Sequence, residues 1–235
     1  RKNEAVVTPL RKKFASKCLD GHPTPATPFT YLATGASGVG VAATAGLAIA
    51  ARDVYRTMTP RVYCVEGEGG MTPGRVEETL QIAERAQLGN FIMVVDHNDA
   101  SIDVPGVCAG DYTNVKPEER GILHGFSVAV ADGKNFEEIV AAFDYACEYF
   151  PQDRPVMIVL RTEKGEGYGI GTNKSHGAGH KMDSDGYFAA QKTYCETFGV
   201  KLPKIADGAA SESIEDHFWR SLLTVRDVLQ SDSEL

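Results

Sequence analysis

The stretch that most constrains this chain runs from Val62 to Asp103 and reads VYCVEGEGGMTPGRVEETLQIAERAQLGNFIMVVDHNDASID. An apolar run is followed by a Gly-Glu-Gly-Gly turn, an amphipathic segment, and a second apolar run that ends in Asp96-His97-Asn98. That order is strand, helix, strand, and two strands joined through a helix pair in parallel with a right-handed crossover. Glu68 and Asn98 each stand just past the carboxyl end of an expected strand, which is where an open α/β sheet binds its ligands.

The rest of the chain repeats this alternation. Strands are expected at Arg61 to Glu66, Phe91 to Asp96, Phe126 to Ala131 and Pro155 to Arg161, with helices at Gly74 to Leu88, Pro117 to His124 and Asn135 to Phe150. The first of these helices should turn Val76, Leu80, Ile82, Ala83 and Ala86 inward. Asn135 reads as an N-cap, with Glu138 three residues on and Pro151 as the stop. Phe91 to Asp96 is almost continuously apolar, as a central parallel strand covered on both faces should be. The fold class is α/β, with a doubly wound, mainly parallel sheet and helices on both faces. The 235 residues are read as a single domain. Residues 1–34 are expected to form an extended arm with a short basic helix at Leu10 to Lys17, and residues 184–235 to form C-terminal helices near Ser184 to Phe198 and Ser213 to Leu229. An alanine- and glycine-rich helix, Val41 to Ala50, is small enough for another backbone to approach and is expected at a domain or subunit contact.

Composition narrows the partners. A net charge of -8 and the lack of a lysine-arginine cluster argue against nucleic acid or an anionic membrane. No run reaches the ~20 apolar residues that a membrane span needs. Five scattered cysteines without a CxxC pair fit reduced thiols in a cytoplasmic protein. An anionic small molecule stays open, because backbone amides and a metal can hold one.

The carboxylate of Glu68 and the amide oxygen of Asn98 are hard donors suited to Mg²⁺ or Ca²⁺ and poorly suited to zinc. Gly67, Gly69 and Gly70 let main-chain amides come close to a phosphate, beside a helix start near Gly74. Locally the same letters also fit an ordinary strand-to-helix turn with a solvated glutamate.

The spacing adds to this. Gly67-Glu68-Gly69 and Asn98 lie thirty positions apart, and in this the chain resembles the transketolase family of thiamine-diphosphate enzymes, whose fingerprint is Gly-Asp-Gly followed by about thirty residues and a strand ending in Asp-Asn or Asn-Asn. Gly21-His22-Pro23, Thr34-Gly35-Ala36-Ser37-Gly38-Val39-Gly40 and Ser175-His176-Gly177 are similar to further motifs of that family, in the same order. The resemblance implies a diphosphate-binding domain in which Glu68, Asn98 and the carbonyl of Ala100 ligate Mg²⁺, or Ca²⁺ or Mn²⁺ in its place. It implies that Gly67 and Gly69 approach the diphosphate, that Gly35 and Ser37 face the aminopyrimidine, and that His22 and His176 face the thiazolium and the substrate hydroxyls. His97, His124, His180 and His217 match no family position and are read as structural or solvated.

Two letters depart from the pattern. Glu68 replaces an aspartate, so an extra methylene must be absorbed around a cation that demands near-octahedral geometry. Pro73 stands where transketolases usually carry a glutamate of the acidic network joining their two active sites.

The resemblance further implies a second, pyrimidine-binding domain, which supplies the glutamate that activates the cofactor. No second α/β unit is visible in these 235 residues. The expectation is therefore a split transketolase, in which this chain pairs with a C-terminal subunit in an α2β2 heterotetramer and transfers a two-carbon ketol unit between sugars or sugar phosphates. Other readings are the first component of a 2-oxo-acid dehydrogenase, a deoxyxylulose-phosphate synthase, or a catalytically idle regulatory subunit. A short-chain dehydrogenase is suggested by Thr34 to Gly40 and by Tyr112 with Lys116. Pro28 interrupts the strand that reading needs, and Pro117 closes a tyrosine-lysine pair set in a loop.

Overall fold

The computed structural model describes residues 24–25, 32–102, 106, 113–176, 179–181, 184–204 and 211–231. The chain divides into two compact units. One is Thr34–Glu166 with Ile170–Gly177, and the other is Arg1–Ala33 with Gly167–Gly169 and Ala178–Leu235.

The first unit is built on four strands, β1 (Val62–Gly67), β2 (Phe91–His97), β3 (Ser127–Asp132) and β4 (Val156–Arg161). They lie in the order β1-β2-β4-β3 and every pair is parallel. Its helices are α1 (Val39–Val54), α2 (Gly74–Arg85), α3 (Pro117–Leu123) and α4 (Phe136–Glu148). The strand order explains where they pack. The β1-to-β2 and β2-to-β3 connections move the same way across the sheet, whereas β3-to-β4 steps back. With right-handed crossovers, α4 must then lie on the face opposite α2. The core divides accordingly. Phe91, Met93 and Val95 join α1 and α2 residues on one face, while Ile92 and Val94 join Ala142 and Ala146 of α4 on the other. This confirms the α/β fold with helices on both faces, and β2, whose first five residues are buried, is the covered interior strand.

Helix α1 uses its small residues within this unit. Val41, Thr44, Ala45 and Ala48 are buried, the helix packs on β1 and α2, and Asn90 Nδ2 donates to the carbonyl of Ala48 at 2.9 Å. It is longer at both ends than the run of small residues suggests. Helix α2 stops three residues earlier than expected. Gln87 takes φ 51°, Leu88 N donates to Ala83 O at 3.0 Å and Gln87 N to Glu84 O at 2.8 Å, which is a Schellman ending with glutamine in the left-handed position. The buried face of α2 is Val76, Thr79, Leu80 and Ala83. Ile82, expected inside, is 55% exposed, because it lies off the i, i+3, i+4, i+7 stripe that meets the sheet. Asn135 caps α4 as expected, with its side-chain oxygen accepting from Glu137 N and Glu138 N.

The second unit contains α5 (Asp185–Thr197), capped by Ser184, and α6 (Ser211–Ser231). Tyr187 Oη lies 3.3 Å from Nε2 of the buried His217. In this unit the ring of His180 also packs on Tyr168 and its Nε2 lies 2.7 Å from that residue's carbonyl. Among the described residues, no helix is long and apolar enough to cross a membrane.

Phe91 is fully buried and meets Phe126 edge to face at 6.3 Å. Phe91→Ala should therefore cost about 3–5 kcal/mol in chemical denaturation, while Ile82→Ala should cost under about 1 kcal/mol. Equal costs would mean that α2 seats a different face.

Candidate functional site

The parallel register sets the level of the site. Gly67 pairs with Asp96, and His97 with Arg161, so the chain leaves β1, β2 and β4 at one edge of the sheet. After β1 it makes a single 3-10 turn, Glu68–Met71, closed by Thr72 Oγ1 donating to Gly69 O at 2.8 Å. Arg120 of α3 fixes the end of this turn through Met71 O at 2.6 Å, and is itself paired with Glu77 at 3.2 Å. Glu77 also holds His124 at 2.6 Å, which gives that histidine a structural role.

The turn carries Glu68 inward to 3% exposure. Its carboxylate accepts from Asn98 N at 3.2 Å and from Ala100 N at 3.0 Å. Asn98 Nδ2 donates to Asp96 at 3.0 Å, and Asp96 in turn accepts from the Thr162 hydroxyl. The amide can then turn only its oxygen to the other side, where Oδ1 accepts from Ala100 N at 3.1 Å. Asp99 takes φ 52° between them.

These groups border a cavity of about 440 Å³ lined by Ser37, the Gly67–Gly70 turn, Thr72, Asn98, the 100–102 segment, Lys164 and His176. Lys164 Nζ donates to Ser101 O at 3.0 Å on its wall. Ser37, Gly67, Glu68, Gly69, Asn98, Ala100 and His176 are thus brought together. Gly35 does not line the cavity; it lies in the loop before Ser37 at φ 146°, a conformation that favours glycine. His22 lies outside the described residues, as do Tyr112 and Asp103. The N–H of Gly67 is donated to Glu66 at 3.1 Å.

Burial pushes the Glu68 carboxyl above its ordinary 4.5, against the opposing pull of its main-chain N–H partners and His97. Among the described residues Glu68 has no lysine or arginine ion pair, and main-chain N–H groups meet its carboxylate instead. With Asn98 Oδ1 beside it, the side-chain donor pair is oxygen-only. It suits Mg²⁺, Ca²⁺ or Mn²⁺, and each carboxylate oxygen keeps a lone pair beyond its N–H bond. Lys164 adds a cation on the wall, suited to an anion. Sequence reasoning overlooked it, because a lysine in a glycine-rich loop looks solvated until β4 is placed beside β2. His97 stands behind the site, its Nδ1 4.0 Å from Glu118, which is paired with Arg161 at 3.0 Å.

An α/β domain with an oxygen-rich cradle and a lysine at the carboxyl edge of a parallel sheet is of the class that binds its ligand at that edge. Residues 7–199 match the thiamine diphosphate binding domain of transketolase. The chain is 32% identical to human transketolase over 164 residues, covering 70% of this chain and 25% of that protein. It is 32% identical over 170 residues to the transketolase of Halalkalibacterium halodurans, covering 67% and 25%. Two solved structures share the fold at 24% identity. A transketolase from Campylobacter jejuni has a TM-score of 0.63, covering 91% of this chain and 34% of the other. A transketolase variant from Pichia stipitis has a TM-score of 0.68, covering 89% and 32%. The chain belongs to the transketolase family and spans about a quarter of the length of these curated relatives.

The raised Glu68 carboxyl has a definite sign. A carboxyl whose folded pKa lies above its unfolded one stabilises the fold fully below the unfolded value, and that contribution is lost as pH rises through the folded value. In EDTA, the stability of the wild type relative to Glu68→Gln should fall as pH rises from 4.5 toward neutrality. A relative gain would mean that hydrogen bonding outweighs burial.

Proposed function

We propose that this chain binds thiamine diphosphate through a divalent cation, Mg²⁺ by preference, and provides the diphosphate half of a transketolase active site. The observation that carries the reading is the buried carboxylate of Glu68, set against Asn98 and the main chain of Ala100 in a cavity that Lys164 borders. Glu68, Asn98 Oδ1 and the carbonyl of Ala100 would hold the cation. Gly69 N and Lys164 would meet the diphosphate. Gly35 and Ser37 would face the aminopyrimidine, with Gly67 as part of the floor. When bound, thiamine diphosphate supplies the carbanion chemistry that lets a two-carbon ketol unit pass from a ketose to an aldose.

The chain's own residues position and exclude. Asp96, held by Thr162, orients the Asn98 amide so that its oxygen is available. Arg120 anchors the turn that presents Glu68. His176 would hydrogen-bond substrate hydroxyls and carry a proton at its imidazole, and His22 is proposed for the same task from the family pattern. Activity is proposed to require a second polypeptide region carrying the pyrimidine-binding domain, as a partner C-terminal subunit in an α2β2 heterotetramer. In support, the match to human transketolase covers 25% of that protein, so most of that relative's length lies outside the matched region.

Calorimetric titration tests the binding part. The chain with Mg²⁺ should bind thiamine diphosphate, and EDTA should abolish binding. Asn98→Ala should weaken it by about 10–100-fold, the cost expected for a disturbed metal site. Metal-independent binding, or unchanged affinity in Asn98→Ala, would refute the proposed centre. With the partner subunit added, His176→Ala should slow ketol transfer about 100-fold and leave cofactor affinity intact. Ketol transfer by this chain alone would refute the split arrangement. Tight binding without transfer in the reconstituted pair would favour the idle-subunit reading.

A further inference from the structure

Glu66 occupies a position on β1 that the pleat directs into the core. Val62 and Cys64, at the alternate positions before it, face the layer under α1, and Glu66 continues that face. A half-buried carboxylate here needs partners, and main-chain N–H groups at the end of β1 and at the start of α1 supply them. Gly67 N donates to it at 3.1 Å. The main-chain N–H of Gly38, the residue before α1, is its second partner, at the helix end that favours negative charge.

Gly38 and Gly70 approach each other closely around this group. Gly38 has φ +76°, and a Cβ on it would lie 3.1 Å from Gly70 O and 2.6 Å from Val76. A Cβ on Gly70 would collide with the Glu66 carboxylate itself. The Gly38 loop carries Ser37 and the Gly70 turn carries Glu68 and Gly69, all on the cavity wall.

We infer that Glu66 is a positioning residue: its carboxylate ties the Ser37–Gly38 loop to the Gly67–Gly70 turn, sets their separation across the cavity, and fills the space that a side chain at position 70 would take. The effect on cofactor affinity rests on the function proposed above. The tie itself does not.

Two readouts on the full chain keep these apart. Amide hydrogen exchange without ligand reports the tie, and titration with thiamine diphosphate and Mg²⁺ reports its consequence. Glu66→Leu, which keeps an apolar side chain of similar size in the core, should raise exchange in the segments 34–40 and 67–70 while the melting temperature holds. It should weaken cofactor binding about tenfold, the lower range for an outer-shell change, and Glu66→Gln should restore most of the loss. Gly70→Ala should weaken binding in the wild type but add nothing to Glu66→Ala, since the collision is gone. Unchanged exchange at 34–40 in Glu66→Leu, or additive losses in the double variant, would overturn the inference. If the wild type binds no thiamine diphosphate, the function proposed above fails, and the exchange data alone decide the tie.

Discussion

The site depends on one constraint, the in-register parallel pairing of β1 with β2. Because Gly67 lies opposite Asp96, the turn after one strand and the turn after the other begin at the same height. Glu68 can then reach the main chain of Asn98 and Ala100 with no intervening side chain. A slip of one residue would reverse the facing of every β2 side chain, sending Phe91, Met93 and Val95 to the α4 side. The same apolar alternation that fills two core layers therefore also fixes the geometry of the polar edge.

Charge is handled differently on the two sides of β1's end. Glu66 is neutralised by structure, through N–H groups and a helix terminus. Glu68 receives N–H groups too, but in a cavity that also offers an amide oxygen and a lysine. Burial raises both carboxyls above the ordinary value. One of them is proposed to brace the loops, and the other is the carboxylate proposed to share its charge with a cation. The two carboxylates, two residues apart on one short stretch of chain, thus differ in what surrounds them.

Much of this was legible in the sequence where the signal is local. The unbroken apolar run of β2 marked it as interior, and Asn135 with Pro151 bounded α4 well. Glu68 and Asn98 were legible because each follows its own strand in one βαβ unit, so the spacing alone brings them close. Signals failed where a common residue takes an uncommon role. Gln87 ends α2 in a left-handed conformation usually given to glycine, and Ile82 is a strong hydrophobe just off the buried stripe. Lys164 and Thr162 reach the site only because β4 pairs with β2, a long-range fact that no window of sequence contains. Glu66 read as the polar end of a strand, since its partners Gly38 and Gly70 are silent letters until the loops are folded.

The orientation of the Asn98 side chain has a consequence for the age of the molecule. Its nitrogen must give a hydrogen to Asp96 while its oxygen accepts one from Ala100, so the position requires one donor and one acceptor on the same planar group. Hydrolysis of that amide to an acid, a slow spontaneous fate of asparagine, would exchange a single atom. It would remove the donor on which Asp96 relies and set a third carboxylate beside Asp96 and Glu68, where like charges disfavour one another. The hydrogen-bond pattern at this edge of the sheet therefore lasts only as long as that carboxamide does.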